Sequence, residues 1–286
     1  MKPRIDAHQH FWRYDPKRDA WMNDSMSVLR RDYLPEDLLG ELERNQIDAS
    51  IVVQADQSEN ETAFLLDLAE RYSFIAGVVG WVDLRARNLL DRLEHYSRFK
   101  KLRGFRHIVQ SEPDDRFLLR DDVVRGIECL QQFGFTYDIL IYPKQMPAVL
   151  GLMERLPDQR FVIDHIAKPP ILARQIASWA NHLRAISSNP SVYCKVSGLT
   201  TEADWRSWRA EEFHPYLDVV FEAFGTGRLM FGSDWPVCLL AGTYQRVKEL
   251  IVDYMKDLPD SSQENVLGGN AERFYGLDVM AHGFAA

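Results

Sequence analysis

Cysteine is scarce: Cys129, Cys194 and Cys238 are the three in 286 residues, and no CxxC pair occurs. An odd count at wide spacing fits reduced thiols in a cytoplasmic enzyme better than a disulfide framework. Long apolar runs are also missing. Nothing approaches the roughly 18 residues that a membrane-spanning helix needs, and the amino terminus lacks the apolar segment of a signal peptide. Positive charge is in deficit, with 34 Lys and Arg against 42 Asp and Glu. The resulting −8 repels nucleic acid and anionic membranes, so the expected partner is a small molecule. No linker rich in Pro, Gly or Ser divides the chain, so residues 1–286 read as a single domain around one core.

What the chain does contain is a rhythm. Short apolar runs recur near Ile5–Ala7, Ser50–Gln54, Ile75–Trp81, Leu102–Ile108, Thr136–Ile141, Phe161–Asp164, Tyr193–Val196 and Leu229–Gly232. Stretches with apolar residues at 3 and 4 spacing separate them: Glu61–Tyr72, Leu89–Phe99, Val123–Phe133, Met146–Leu156, Ile176–Ser187, Leu217–Phe224 and Tyr244–Lys256. Gly134 and Gly225 stand where helices stop. Eight strands alternating with helices predict an α/β protein of the (β/α)8 TIM-barrel class. One segment exceeds the minimal barrel: Phe11 to Tyr33, between strand one and its helix, carries Trp12, Tyr14 and Trp21 and is longer than a βα loop requires. At the carboxyl face of a barrel such a loop is expected to cover the site.

Chemistry-bearing residues fall at strand ends. His8 and His10 close strand one at i, i+2, so both imidazoles face one way. His165 follows strand six and Asp234 follows strand eight. In a barrel all four converge at the carboxyl face, a set of three imidazoles and one carboxylate suited to one zinc or manganese ion. Arg106 and His107 end strand four, and alternation turns one of them toward the pocket, as a catalytic or substrate-holding group. Trp235 beside Asp234, together with Trp12 and Trp21, offers rings for a sugar face, and Lys168 is a further substrate-binding candidate. Cys238 has no base partner in the sequence and reads as structural.

Four ordered stretches, Asp6-Ala7-His8-Gln9-His10, Gly104-Phe105-Arg106-His107, Asp164-His165-Ile166-Ala167-Lys168-Pro169 and Phe231-Gly232-Ser233-Asp234-Trp235-Pro236-Val237-Cys238, resemble the amidohydrolase superfamily and its branch of sugar-acid lactonases. The likeness extends to Gly269-Asn270-Ala271-Glu272-Arg273-Phe274-Tyr275 and so spans nearly the whole chain. It implies a distorted barrel that opens a sugar-acid lactone with water, L-fuconolactone being the substrate the resemblance favours, in fucose degradation. The wider superfamily adds a second-metal ligand after strand five, where this chain has Tyr142-Pro143, so at most one metal is implied. An ester carbonyl is electrophilic enough that activity need not require that metal. Asp234 is the expected general base. Hydrolysis of rhamnonolactone or a muconolactone, and metal-dependent decarboxylation, are the enzymatic alternatives. Outside enzymes the alternative is a silent barrel that binds a metal or a sugar acid; a ready general base in Asp234 argues against it.

Overall fold

The computed structural model describes residues 2–279. Eight parallel strands form one sheet in chain order: β1 (Ile5–Gln9), β2 (Ala49–Val53), β3 (Ile75–Gly80), β4 (Leu102–Ile108), β5 (Thr136–Leu140), β6 (Phe161–Ile163), β7 (Tyr193–Val196) and β8 (Leu229–Phe231). The ring closes just past β8, where the Asp234 N–H donates to His8 O at 2.8 Å and the His10 N–H to Trp235 O at 2.7 Å. Outside the sheet run α1 (Pro35–Arg44), α2 (Glu59–Arg71), α3 (Leu89–Tyr96), α4 (Asp121–Gln132), α5 (Met146–Arg155), α6 (Ala177–Ser187), α7 (His214–Phe224) and α8 (Tyr244–Met255). The (β/α)8 expectation therefore holds at every strand, with ends moved by one or two residues. Two short helices beyond α8 have no counterpart in the apolar rhythm, α9 (Asp260–Glu264) and α10 (Asn270–Tyr275).

Local chemistry sets the helix ends. Proline opens α1, where its missing N–H costs nothing, and the Asp37 carboxylate accepts from the Leu34 N–H at 2.9 Å. Ser58 caps α2 by accepting from the Glu61 N–H, and Gly134 and Gly225 take the positive φ of +72° and +60° expected of helix stops. Strand residues are buried on both faces, which is why these runs are continuous rather than alternating. Val52, Phe105, Ile139, Ile163, Val196 and Phe231 pack outward against the helices. Ile5, Ala7, Ile51, Val79, Val162 and Met230 pack with Ala271, Phe274 and Tyr275 of α10 in a second apolar cluster. The late helix thus supplies side chains to the barrel interior that no strand provides.

β1 carries the irregularity that matters. Its register against β2 slips by one residue between Asp6 and Gln9. A bulge of this kind reverses the side-chain parity of everything after it. Asp6 and Gln9 face outward, toward Tyr244 and Ser50 respectively. Ile5 and Ala7 face inward, and so do His8 and His10 beyond the bulge, where they meet groups from the opposite strands.

The Phe11–Tyr33 segment folds as a covering loop. Its ends pair through Trp12 and Tyr33, and a 3-10 turn occupies Asp24–Leu29. Trp12, Arg18, Asp19, Trp21 and Met26 from this loop wall the cavity at the barrel mouth.

Candidate active site

At the carboxyl ends of the strands lies a cavity of about 550 Å³. His10 and Asp234 line its floor, and the fully buried His8 meets them there: His8 Nε2 is 3.2 Å from His10 Nε2, and Asp234 Oδ1 is 3.3 Å from His10 Nε2 and 3.9 Å from His8 Nε2. His165 Nε2 stands 3.8 Å from the same carboxylate oxygen. The four groups named from sequence are therefore together.

These spacings suit a metal. Donors about 2.1 Å from a tetrahedral ion stand about 3.4 Å from one another; His8, His10 and Asp234 form one set near that spacing, and His165 approaches it through Asp234. The second ring nitrogens are occupied in the way ligand histidines require: His10 Nδ1 lies 2.7 Å from Val53 O, and His165 Nδ1 lies 2.9 Å from Ser197 Oγ. His8 Nδ1 faces Asp164 Oδ1 at 3.3 Å and Lys195 Nζ at 3.2 Å. Burial holds the His8 and His165 imidazoles well below their usual pKa, so both are neutral, the ligand form. Burial alone would raise the Asp234 carboxyl. His165 and His10 outweigh it and hold the group below its usual value, as a carboxylate.

Backbone strain concentrates here. His165, Ile166, Ala167 and Lys168 all have positive φ, 51°, 46°, 58° and 46°, forming one left-handed turn closed by the Lys168 N–H on His165 O at 2.8 Å. Asp234 is also left-handed, at φ 57°. Such a backbone costs roughly 1–2 kcal/mol for each L-residue, most for a β-branched one such as Ile166. The surroundings hold it: Ile166 and Ala167 are fully buried, and Trp179 Nε1 donates to Ile166 O at 2.8 Å. With about three residues per turn, positions 165 and 168 fall on one side, and both side chains line the cavity. Two glycines leave room for the imidazoles. A Cβ on Gly198 would stand 2.6 Å from His165 Nδ1, and one on Gly232 would stand 2.7 Å from the His8 Cβ.

Beneath the floor is a buried charged layer that the sequence did not reveal. Lys195 Nζ sits 2.6 Å from Asp138 Oδ2 and 3.1 Å from Asp164 Oδ1, and Tyr275 of α10 donates to Asp138 at 2.7 Å. Arg106 joins it: Nη1 donates to Asp164 Oδ2 at 3.0 Å and lies 3.2 Å from His8 Nε2, while Nη2 donates to Gln54 O. Alternation does turn Arg106 inward, where it touches the cavity, but its charge is committed to Asp164.

Two expectations need correction. His107 is not brought to the cavity: it stacks on Phe117 at 4.7 Å, with Nε2 2.7 Å from Glu112 Oε1 and Nδ1 accepting from Trp81, because it is the strand neighbour of an inward residue. Trp235 is buried edge-to-face against Phe11 and Tyr33 under the covering loop, at 6.1 and 5.1 Å, and does not line the cavity. Ring walls are supplied instead by Trp12, Trp21 and two residues missed from sequence, Tyr142 and Trp205. Lys195 of β7 is fully buried. Lys168 lines the cavity as expected, paired with Glu202 at 3.0 Å. Burial pushes the Cys238 thiol up, in keeping with a structural residue.

The amidohydrolase family profile matches residues 5–277. An L-fucono-1,5-lactonase of Burkholderia multivorans is 44% identical over 289 residues, covering 97% of each chain. A second L-fucono-1,5-lactonase, from Burkholderia ambifaria, is 36% identical with the same coverage. The crystal structure of an amidohydrolase from Burkholderia multivorans with bound zinc superimposes with a TM-score of 0.93 at 43% identity, covering 96% of this chain and 100% of that one. This chain belongs to the amidohydrolase family.

Proposed function

We propose that the protein hydrolyses a sugar-acid lactone, L-fucono-1,5-lactone foremost, to the free acid, with Asp234 as the general base. The observation that carries this reading is a carboxylate held ionised among three imidazoles, at the floor of a ring-walled cavity, in a chain that shares 44% of its residues with a lactonase. The cavity is of a size for one small sugar.

Water bound at the floor gives a proton to Asp234 as its oxygen bonds to the lactone carbonyl carbon, and the carbonyl π pair moves onto the carbonyl oxygen. When that pair returns, the ring C–O bond breaks and its electrons leave on the ring oxygen. Asp234 hands the proton to that oxygen, so no bare alkoxide is expelled. The carboxylic acid formed ionises at neutral pH, and one proton appears in solution per turnover. Trp12 and Trp21 offer ring faces to the sugar, and Arg106 with Asp164 holds His8 in place.

His8, His10, His165 and Asp234 are the residues that would hold a metal, and a nitrogen-rich set of this kind favours zinc over manganese. A divalent ion there supplies Lewis acidity toward a substrate oxygen.

The test is acid release from a panel of five- and six-carbon aldonolactones. L-Fucono-1,5-lactone is expected among the best substrates, with Asp234→Asn losing kcat on the order of 10² or more. No release above the spontaneous rate, with carbon dioxide formed from carboxylated substrates instead, would replace the lactonase reading by a decarboxylase.

A further inference from the structure

The reaction above puts negative charge on the carbonyl oxygen, and a cation is needed to meet it. Four candidate cations lie in or under the site. Lys195 is fully buried below the floor, between two carboxylates. Arg106 is bound to Asp164 and Gln54. Arg18 of the covering loop is paired through two nitrogens with Asp19, at 2.8 and 2.7 Å. Lys168 differs from these. Its side chain, only 14% exposed, enters the cavity on the same side of the left-handed turn as His165, and one of its three N–H groups meets Glu202 Oε1 at 3.0 Å. Among the described residues that carboxylate is its hydrogen-bond partner, so two N–H groups remain to face a ligand.

We propose that Lys168 is the catalytic cation that hydrogen-bonds the developing carbonyl oxyanion, and that Glu202 is the positioning residue that aims it. The inference rests on the lactone reading and extends it to the residue that stabilises the tetrahedral stage.

Several features support it independently. A strained turn of four left-handed residues is maintained where an ordinary turn would send position 168 elsewhere. Glu202 comes from a different element, the 3-10 turn Thr200–Glu202 after β7, whose backbone is tied back to the 165–172 segment by the Leu172 N–H donating to Glu202 O at 2.9 Å. The ammonium also lies 5.8 Å from the Tyr142 ring centroid, so a carboxylate and a ring bracket it within the cavity wall. Burial would push the ammonium down, but Glu202 and Asp234 overcome that and keep it above its ordinary value. A cation of this sort donates a hydrogen bond without giving up its proton. That distinguishes it from Asp234, through which the proton moves.

Steady-state kinetics on the lactone that the wild type opens fastest test the assignment. Lys168→Met is expected to lose kcat on the order of 10²-fold, the usual cost of one oxyanion donor, with little change in KM. Lys168→Ala should regain kcat saturably with added methylammonium, which a merely structural loss would not allow. Glu202→Gln leaves the lysine in place but loosens it; kcat should fall about tenfold, and the Lys168→Met/Glu202→Gln double variant should be no slower than Lys168→Met alone. A Lys168→Met protein that is folded by circular dichroism, keeps full kcat and shows only a raised KM overturns the proposal, making Lys168 a ground-state binder. Should Lys168→Met fail to fold, a Glu202→Gln enzyme with wild-type kcat overturns it equally. A wild type inert toward every lactone sinks the lactone reading itself, whereas an active wild type with unaffected variants sinks only this assignment.

Discussion

Glu61 is a buried carboxyl next to the site whose energetics can be worked out. It lies in the first turn of α2, is 6% exposed, and accepts the backbone N–H groups of Ala55 and Asp56 at 2.9 and 3.3 Å, the loop after β2 that lines the cavity. Burial first, and the Asp56 carboxylate after it, raise its pKa from 4.5 to about 7, against the two backbone donors and Arg18, which pull it down. The folded protein therefore keeps a proton that the unfolded chain has already lost between pH 4.5 and 7. Stability is highest below that window, falls as pH rises through it, and carries the whole penalty above pH 7. At about 1.4 kcal/mol per pH unit the penalty is roughly 3 kcal/mol. Glu61→Gln keeps an acceptor oxygen for both N–H groups and is neutral throughout. The variant should match or trail the wild type at pH 5 and gain on it by up to about 3 kcal/mol at pH 8, a Tm difference of several degrees. Urea unfolding of both proteins at pH 5, 6, 7 and 8 reads this directly. A variant-minus-wild-type difference that stays flat from pH 5 to 8 would refute the reasoning, since no other group changes between the two proteins.

Other consequences follow from the same geometry. Lys195→Met strands Asp138 in the barrel interior without its cation and leaves Asp164 with Arg106 alone, and a destabilisation of about 3–5 kcal/mol is expected by denaturant unfolding. Gly198→Ala combines a φ of +61° with a Cβ 2.6 Å from the His165 ring; kcat should drop by about 10²-fold through displacement of the imidazole, and an unchanged kcat would show that the ring tolerates the shift. Elemental analysis should find one metal equivalent per chain, lost in the His8→Ala/His10→Ala double variant, and two equivalents would contradict the single centre. Chelation should leave substantial lactone hydrolysis, because the ester carbonyl is already electrophilic.

The sequence by itself determined the barrel and most of the floor of the site. Eight apolar runs separated by helical periods leave few topologies that bury them all, and His8, His10, His165 and Asp234 were legible because each ends such a run. Which way side chains turn was decided only in three dimensions. A one-residue bulge in β1 sets the face of His8 and His10, and a bulge is a property of two paired strands, invisible in either alone. His107 and Trp235 looked equal to their neighbours Arg106 and Asp234. Strand alternation turned the first away, and packing beneath the covering loop buried the second. Tyr142, Trp205 and Glu202 reach the cavity from loops whose course depends on everything packed against them. The Lys195–Asp138–Asp164 layer was the least legible, since a lysine in a strand reads as solvated until the barrel closes around it. Periodicity is local and survives in the sequence, whereas a pairing between residues 57 positions apart, as in Lys195 and Asp138, exists only once the chain has folded.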